Sequence, residues 1–247
     1  FLFKISARTV LELGSELISS DVIAFYELIK NGFDAGTRSG VDIRFDICLR
    51  KNDYLTLRDR IATQAADVAT LKQAIEAKLI PSASPDALSR YRQLIDAANN
   101  NLALYDALEK AHKECNSLIV SDTGSGMSIA DLNKNFLVIG TASRKHDVEA
   151  ALKLGKSTTP FLGEKGIGRL SAMRLGDRLR VETARAEEPT LNLLEIDWSA
   201  FADLDAMLDE IDVKPIVGGT KPKADWHGTR IIIYDLAEDW TERRVRD

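Results

Sequence analysis

Four short segments, far apart along the chain, constrain its fold more than any other feature of the sequence. Glu27, Asn31 and Asp34 stand at helical spacing in the first. Asp122-Thr-Gly124-Ser-Gly126-Met127 follows a short apolar run, Gly163, Gly166 and Gly168 punctuate the third segment, and Gly228-Thr229 opens the last apolar run. A fold that uses them together must bring both ends of the chain to one place.

The stretches between them read as alternating structural types. Residues 6–19 have the pattern of a short amphipathic helix. Ser20 or Asp21 then caps a second helix that runs to about Ala35 and ends at Gly36. From Val41 to Leu49 apolar and polar residues alternate strictly, as in a half-buried strand, and Ser117 to Ser121 reads as the next strand. Between these strands the apolar residues recur at steps of three, four or seven: Leu57, Ile61, Val68, Leu71, Ile75 and Leu79, then Leu88, Tyr91, Ile95, Ala98, Leu102 and Tyr105. Pro81 and Pro85 separate the two runs. The pattern predicts a coiled-coil-like helical hairpin over residues 50–116, with arms roughly 40 Å long at 1.5 Å per residue, inserted into a domain that spans residues 1–247.

Past Met127 a helix is expected with Ala130, Leu132 and Phe136, and then a stretch rich in Gly, Ser, Thr and Lys with the character of a lid. A helix from near Gly166 carries Leu170, Met173 and Leu175. Strands are expected at 178–184, 190–197, 213–217 and 229–234. This segregation predicts an α+β sandwich with helices on one face of a mixed sheet.

Composition narrows the function classes. With 247 residues and 45% hydrophobic content the chain can bury a full core. No apolar run approaches the roughly 20 residues that cross a bilayer, and the start has no signal-peptide pattern. The expectation is a soluble, cytoplasmic protein, and the absence of an initiator Met points to a piece of a longer one. Two cysteines make neither a disulfide framework nor a structural zinc site. A net charge of −5 gives no indication of nucleic-acid binding.

The segments have chemical content. Spacings of four and three put Glu27, Asn31 and Asp34 on one helical face. An amide oxygen there can ligate Mg²⁺, and a carboxylate can polarise a water for attack on a γ-phosphate. An acid at the end of an apolar strand, Asp122, can accept a hydrogen bond from an exocyclic amine, while Gly124 and Gly126 leave room for a flat ring. Glycines 163, 166 and 168 precede a helix, where free N–H groups and the helix dipole favour an anion, and Lys165 and Arg169 add positive charge. Gly155-Lys156-Ser157 imitates the end of a P-loop, but Ala150 occupies the place of its first glycine.

Taken in order, the segments resemble the N-box, two glycine boxes and final Gly-Thr of the GHKL ATPases, the group of gyrase, the ninety-kilodalton heat-shock chaperone, the histidine kinases and MutL, with the MORC proteins. The resemblance implies a Bergerat-type two-layer α/β sandwich binding ATP and Mg²⁺ beneath a lid. It assigns Glu27 as general base and Asn31 as metal ligand, with Asp34 alongside. Asp122 would take the adenine amine, Gly124, Gly126 and Met127 would line the base, and Thr229 would support Asp122 through water. Gly163, Lys165, Gly166, Ile167 and Gly168 would wrap the phosphates. Asn135 falls where the chaperone branch has a further polar contact, and Ser143 and Lys145 are weaker lid candidates. Chaperone or MORC proteins are the nearest branches by this reading.

In the family's usual pattern a serine or alanine stands where this chain has Gly32, a change expected to cost about 1 kcal/mol of helix stability and to leave the chemistry intact. His112, His146 and His227 lack a phosphoacceptor pattern and read as solvent-facing. Cys48 and Cys115 fall where paired strands would bring the thiols close. The leading expectation is ATP binding and slow hydrolysis that closes a lid and drives a nucleotide-dependent homodimer of a longer protein, with a protein partner at the helical hairpin. The alternatives are a kinase domain with its phosphoacceptor elsewhere, and a non-hydrolysing nucleotide switch.

Overall fold

The computed structural model describes residues 5–136, 170–203 and 206–241. Its helices are α1 (Arg8–Leu17), α2 (Asp21–Asp34), α3 (Lys51–Ala62), α4 (Val68–Glu76), α5 (Pro85–Asp96), α6 (Asn101–Cys115), α7 (Ile129–Asp131) and α8 (Ser171–Leu175). The strands are β1 (Val41–Asp46), β2 (Ser117–Asp122), β3 (Gly176–Ala184), β4 (Thr190–Asp197), β5 (Ile216–Thr220) and β6 (Gly228–Leu236). They form one six-stranded sheet in the order β1-β2-β6-β3-β4-β5, giving the expected α+β class. The last strand in sequence thus lies between β2 and β3, which carries Gly228 to the end of β2.

The chain divides into two compact units. The first comprises Phe1–Ile43 and Val120–Ile233. Here α8 packs against α1, α2 and β3. Ala24 and Leu28 of α2, Leu170, Ala172 and Leu175 around α8, and Leu179 and Val181 of β3 are all buried. Arg174 on α8 donates to Asp21 at the start of α2, 3.1 Å away. Strands β3 and β4 are antiparallel with an unbroken register from Arg178↔Asp197 to Thr183↔Asn192. The β4–β5 ladder is also antiparallel and shifts register between Thr190 and Asn192. Strand β5 begins at Ile216, later than the sequence pattern placed it.

The second unit comprises Arg44–Ile119 and Tyr234–Asp247. Four helices, α3 to α6, surround Leu57, Ile61, Leu71, Ile75, Tyr91, Ile95, Leu104 and Leu108. The two long arms expected from the periodicity are therefore each broken in two. The reason is capping: the Asp67 side chain accepts from Thr70 N at 3.0 Å and starts α4, and Asn100 accepts from Ala103 N at 2.9 Å and starts α6. A step of seven from Ile61 to Val68 fits a continuous helix and a helix–turn–helix equally well, so apolar spacing could not reveal the break. Ser84 caps α5 with Pro85 in its first turn, as proline there permits.

The base of this unit is fastened by one buried amide. Asn116 Oδ1 accepts from the N–H groups of Cys48 and Leu49 at 2.8 and 3.2 Å, and its Nδ2 donates to the Leu49 carbonyl at 2.8 Å. Asp46, buried at the end of β1, accepts from Ser84 N. The two cysteines are free and buried, with Cys48 Sγ 3.5 Å from the Cys115 carbonyl. Burial above all, then Cys115 and Asp46, pushes Cys48 up to about 12, and burial, then Glu114, pushes Cys115 up to about 11. His112 is not solvent-facing as expected: it stacks on Tyr54 with ring centroids 4.1 Å apart. Its Nε2 is buried without a partner, and burial, with Lys51 and Lys113 nearby, lowers its pKa to about 4. Among the described residues no helix is long and apolar enough to cross a membrane.

Candidate functional site

Helix α2 begins where the sequence places it, with the Ser20 hydroxyl accepting from Ile23 N at 3.3 Å, and ends before Gly36 at a φ of +78°. Glu27, Asn31 and Asp34 lie half-buried along its length. One neighbour was not foreseen. Lys30 is 8% exposed, and its Nζ lies 3.3 Å from Glu27 Oε1. The glutamate with the strongest catalytic claim thus sits in a partly buried ion pair.

Glycines bring the dispersed segments to Asp122. A Cβ on Gly32 would lie 2.6 Å from Val41 Cγ2 and 3.1 Å from Asp122 Cβ. The expectation that Gly32 only weakens its helix is corrected here: its missing side chain is what lets α2 approach Asp122. Gly124 packs on Ala35, at the end of α2, where a Cβ would fall 2.6 Å from both the Ala35 Cβ and carbonyl oxygen. Gly126 (φ +66°) meets the Ala184 carbonyl at the end of β3, and Gly228 (φ +124°) meets the Asp122 carbonyl. Three of the four sequence segments therefore converge within direct packing distance of the Asp122 turn.

The carboxylate is held in place by backbone. Gly124 N donates to Asp122 Oδ1 at 2.8 Å, and Thr229 N–H is a second donor. Burial raises the Asp122 carboxyl above the usual carboxylate range; the Gly124 and Thr229 donors and the nearby His227 oppose that rise. His227, expected on the surface, is half-buried, with Nδ1 2.7 Å from the Gly124 carbonyl. The direct Thr229 contact to Asp122 is through its backbone, while its hydroxyl turns to Thr183.

Two buried side chains that the sequence reading passed over fix Met127. Thr183 accepts from Met127 N at 2.9 Å and donates to the Gly228 carbonyl at 2.8 Å. With its one proton so used, it accepts from the Thr229 hydroxyl at 3.1 Å. Asn192 Nδ2 donates to the Met127 carbonyl and to Glu188 Oε2, each at 2.9 Å. Asn192 had a visible signal, a lone amide within the apolar run Leu191 to Leu194, since buried polar groups are there to be bonded. Thr183 had none, because threonine is ordinary in a strand.

Beyond Met127, Ser128 and Asp131 form a capping box that starts α7, and Arg185 reaches Asp131 at 2.6 Å. Against the penalty of partial burial, Ser128 and Arg185 hold the Asp131 carboxyl below its usual range. The expected helix then continues as a π-turn, Leu132–Phe136, which contains Asn135. Gly163, Lys165, Gly166, Ile167 and Gly168, with Ser143, Lys145 and His146, lie outside the described residues. Among the described residues no three His, Cys, Asp or Glu side chains cluster to hold a metal.

The fold and the glycine-lined carboxylate define a nucleotide-binding α/β sandwich. Residues 95–229, more than half of the chain, match the family described as histidine kinase-, DNA gyrase B-, and HSP90-like ATPase, and the chain belongs to that family. It is 27% identical over 174 residues to the chaperone protein HtpG of Treponema pallidum (strain Nichols), covering 68% of this chain and 26% of that relative. It is 25% identical over 179 residues to the mitochondrial heat shock protein 75 kDa of Bos taurus, covering 71% of this chain and 23% of the relative. The chain thus spans about a quarter of the length of these relatives. Family membership makes it an ATP-binding domain of the chaperone-like GHKL type.

Proposed function

We propose that this chain binds Mg·ATP at the Asp122 turn and hydrolyses it slowly. The carrying observation is the packing of Gly32 and Gly228 onto Asp122 and of Gly124 onto Ala35, which puts the end of α2 beside a half-buried acceptor. A carboxylate held by the Gly124 and Thr229 N–H groups keeps a fixed lone pair for the exocyclic amine of adenine. Met127, locked by Thr183 and Asn192, lines the flat ring. On α2, Asn31 offers its amide oxygen to the metal, and Glu27 orients the attacking water and takes its proton. Mg²⁺, when bound, neutralises charge on the phosphate oxygens. Asp34 and Asn135 flank the phosphate side, and Gly163 to Gly168, with Lys165 and Ile167, wrap the phosphates.

In the longer protein, ATP closes the segment after α7 as a lid and drives pairing of two copies, as the similarity to chaperones supports. The four-helix unit is an insertion that carries a protein-partner surface, and the protein works in the cytoplasm. Glu27→Ala should retain ATP binding by calorimetry and lose phosphate release by about 100-fold or more, the range of general-base catalysis. Asp122→Asn, which turns an acceptor into a mixed group facing an amine, should abolish binding. Undiminished turnover in the first variant, or unchanged affinity in the second, would remove that residue from its role.

A further inference from the structure

The proposed base is not alone on its helix. Three residues on from Glu27, Lys30 lies on one flank of it, and Asn31, at four residues, lies on the other. The lysine side chain is 9% exposed and that of Glu27 is 21% exposed, with 3.3 Å between Nζ and Oε1. The ammonium also lies 5.8 Å from the centroid of the Tyr26 ring. A cation this shielded requires an anion, and the carboxylate meets that need within the same helix turn.

We propose that Lys30 is a positioning residue for hydrolysis, its ammonium holding the Glu27 carboxylate beside Asn31 in the orientation that receives the attacking water. This rests on the reading of Glu27 as base. Two physical consequences support the assignment. A glutamate side chain has three rotatable bonds, and an ion pair shielded from solvent removes most of that freedom before substrate arrives. A bare carboxylate would also repel an incoming triphosphate, whereas a carboxylate paired with an ammonium presents no net charge. The cation acts through Glu27, and no contact with nucleotide is required of it.

The test is a kinetic cycle on the full-length protein. Lys30→Met keeps the length and packing of the stem and removes only the charge. Its kcat should fall about tenfold, the scale of a displaced catalytic group, while its ATP Kd by calorimetry stays within about threefold of the parent. Lys30→Arg restores a cation within reach of Oε1 and should recover most of the kcat. In a Glu27→Gln background, Lys30→Met should cause no further loss, because the carboxylate it positions is gone. An unchanged or increased kcat in Lys30→Met overturns the proposal, as does a loss that Arg fails to rescue or one that persists in Glu27→Gln. Full turnover in Glu27→Gln alone would instead refute the base assignment, whatever Lys30 does.

Discussion

The two units of the molecule are held together by different physics. Around Asp122 the fixed points are polar and backbone contacts: Thr183 and Asn192 on Met127, two N–H donors on a carboxylate, and glycines whose neighbours leave no room for a methyl group. In the helical unit they are apolar, with Tyr91, Leu71, Leu104 and Leu108 fully buried among one another. Apolar packing is non-directional and tolerates small shifts, whereas a hydrogen-bonded turn specifies atom positions. The proposed recognition of one edge of a planar base calls for the second kind of order.

That contrast yields predictions of decreasing size. Gly126→Ala should lower ATP affinity by about 100-fold, since the new methyl group meets the Ala184 backbone at a φ that L-residues avoid. Calorimetry measures it directly, and unimpaired binding would mean the turn is not part of the base site. Leu104→Ala should destabilise the protein by about 3 kcal/mol through a cavity in the helical core and leave the ATP Kd within about threefold. Chemical denaturation paired with calorimetry reads both numbers. If this variant weakens ATP as much as Gly126→Ala does, the distinction between the two units has no energetic meaning.

The smallest effect belongs to His112. Its pKa is lowered to about 4, so the folded state refuses a proton that the unfolded chain accepts near 6.5. Its neutral form is fully accommodated above pH 6.5, and stability is lost as the pH falls from there towards 4, by roughly 2 kcal/mol after allowing for partial solvent screening. His112→Phe keeps the stacking on Tyr54 and should flatten that part of the melting-temperature profile. An unaltered profile would place the acid sensitivity elsewhere.

Much of the candidate site was legible because its determinants are local. Ser20 caps α2 from the adjacent residue, the spacing of Glu27, Asn31 and Asp34 follows from the helical repeat, and Asp122 ends an apolar run that can only be a strand. The helical unit was legible as helical but not in its number of helices, since the apolar repeat ran through the breaks and only the caps at Asp67 and Asn100 marked them. Thr183 and the role of Gly32 were hidden for a different reason. Thr183 bonds to Met127 across 56 positions of sequence, and Gly32 touches Asp122 across a still longer interval.

By itself, then, the sequence determined the residue types of the site, their order and the α+β class, because capping, periodicity and turn chemistry act over a few residues. Only the tertiary structure decided that β6 lies between β2 and β3, that Gly32 is the point of contact with Asp122, and that Glu27 has a shielded cation beside it. Those outcomes depend on which surfaces meet and how much solvent they exclude, and neither is written in any short stretch of chain.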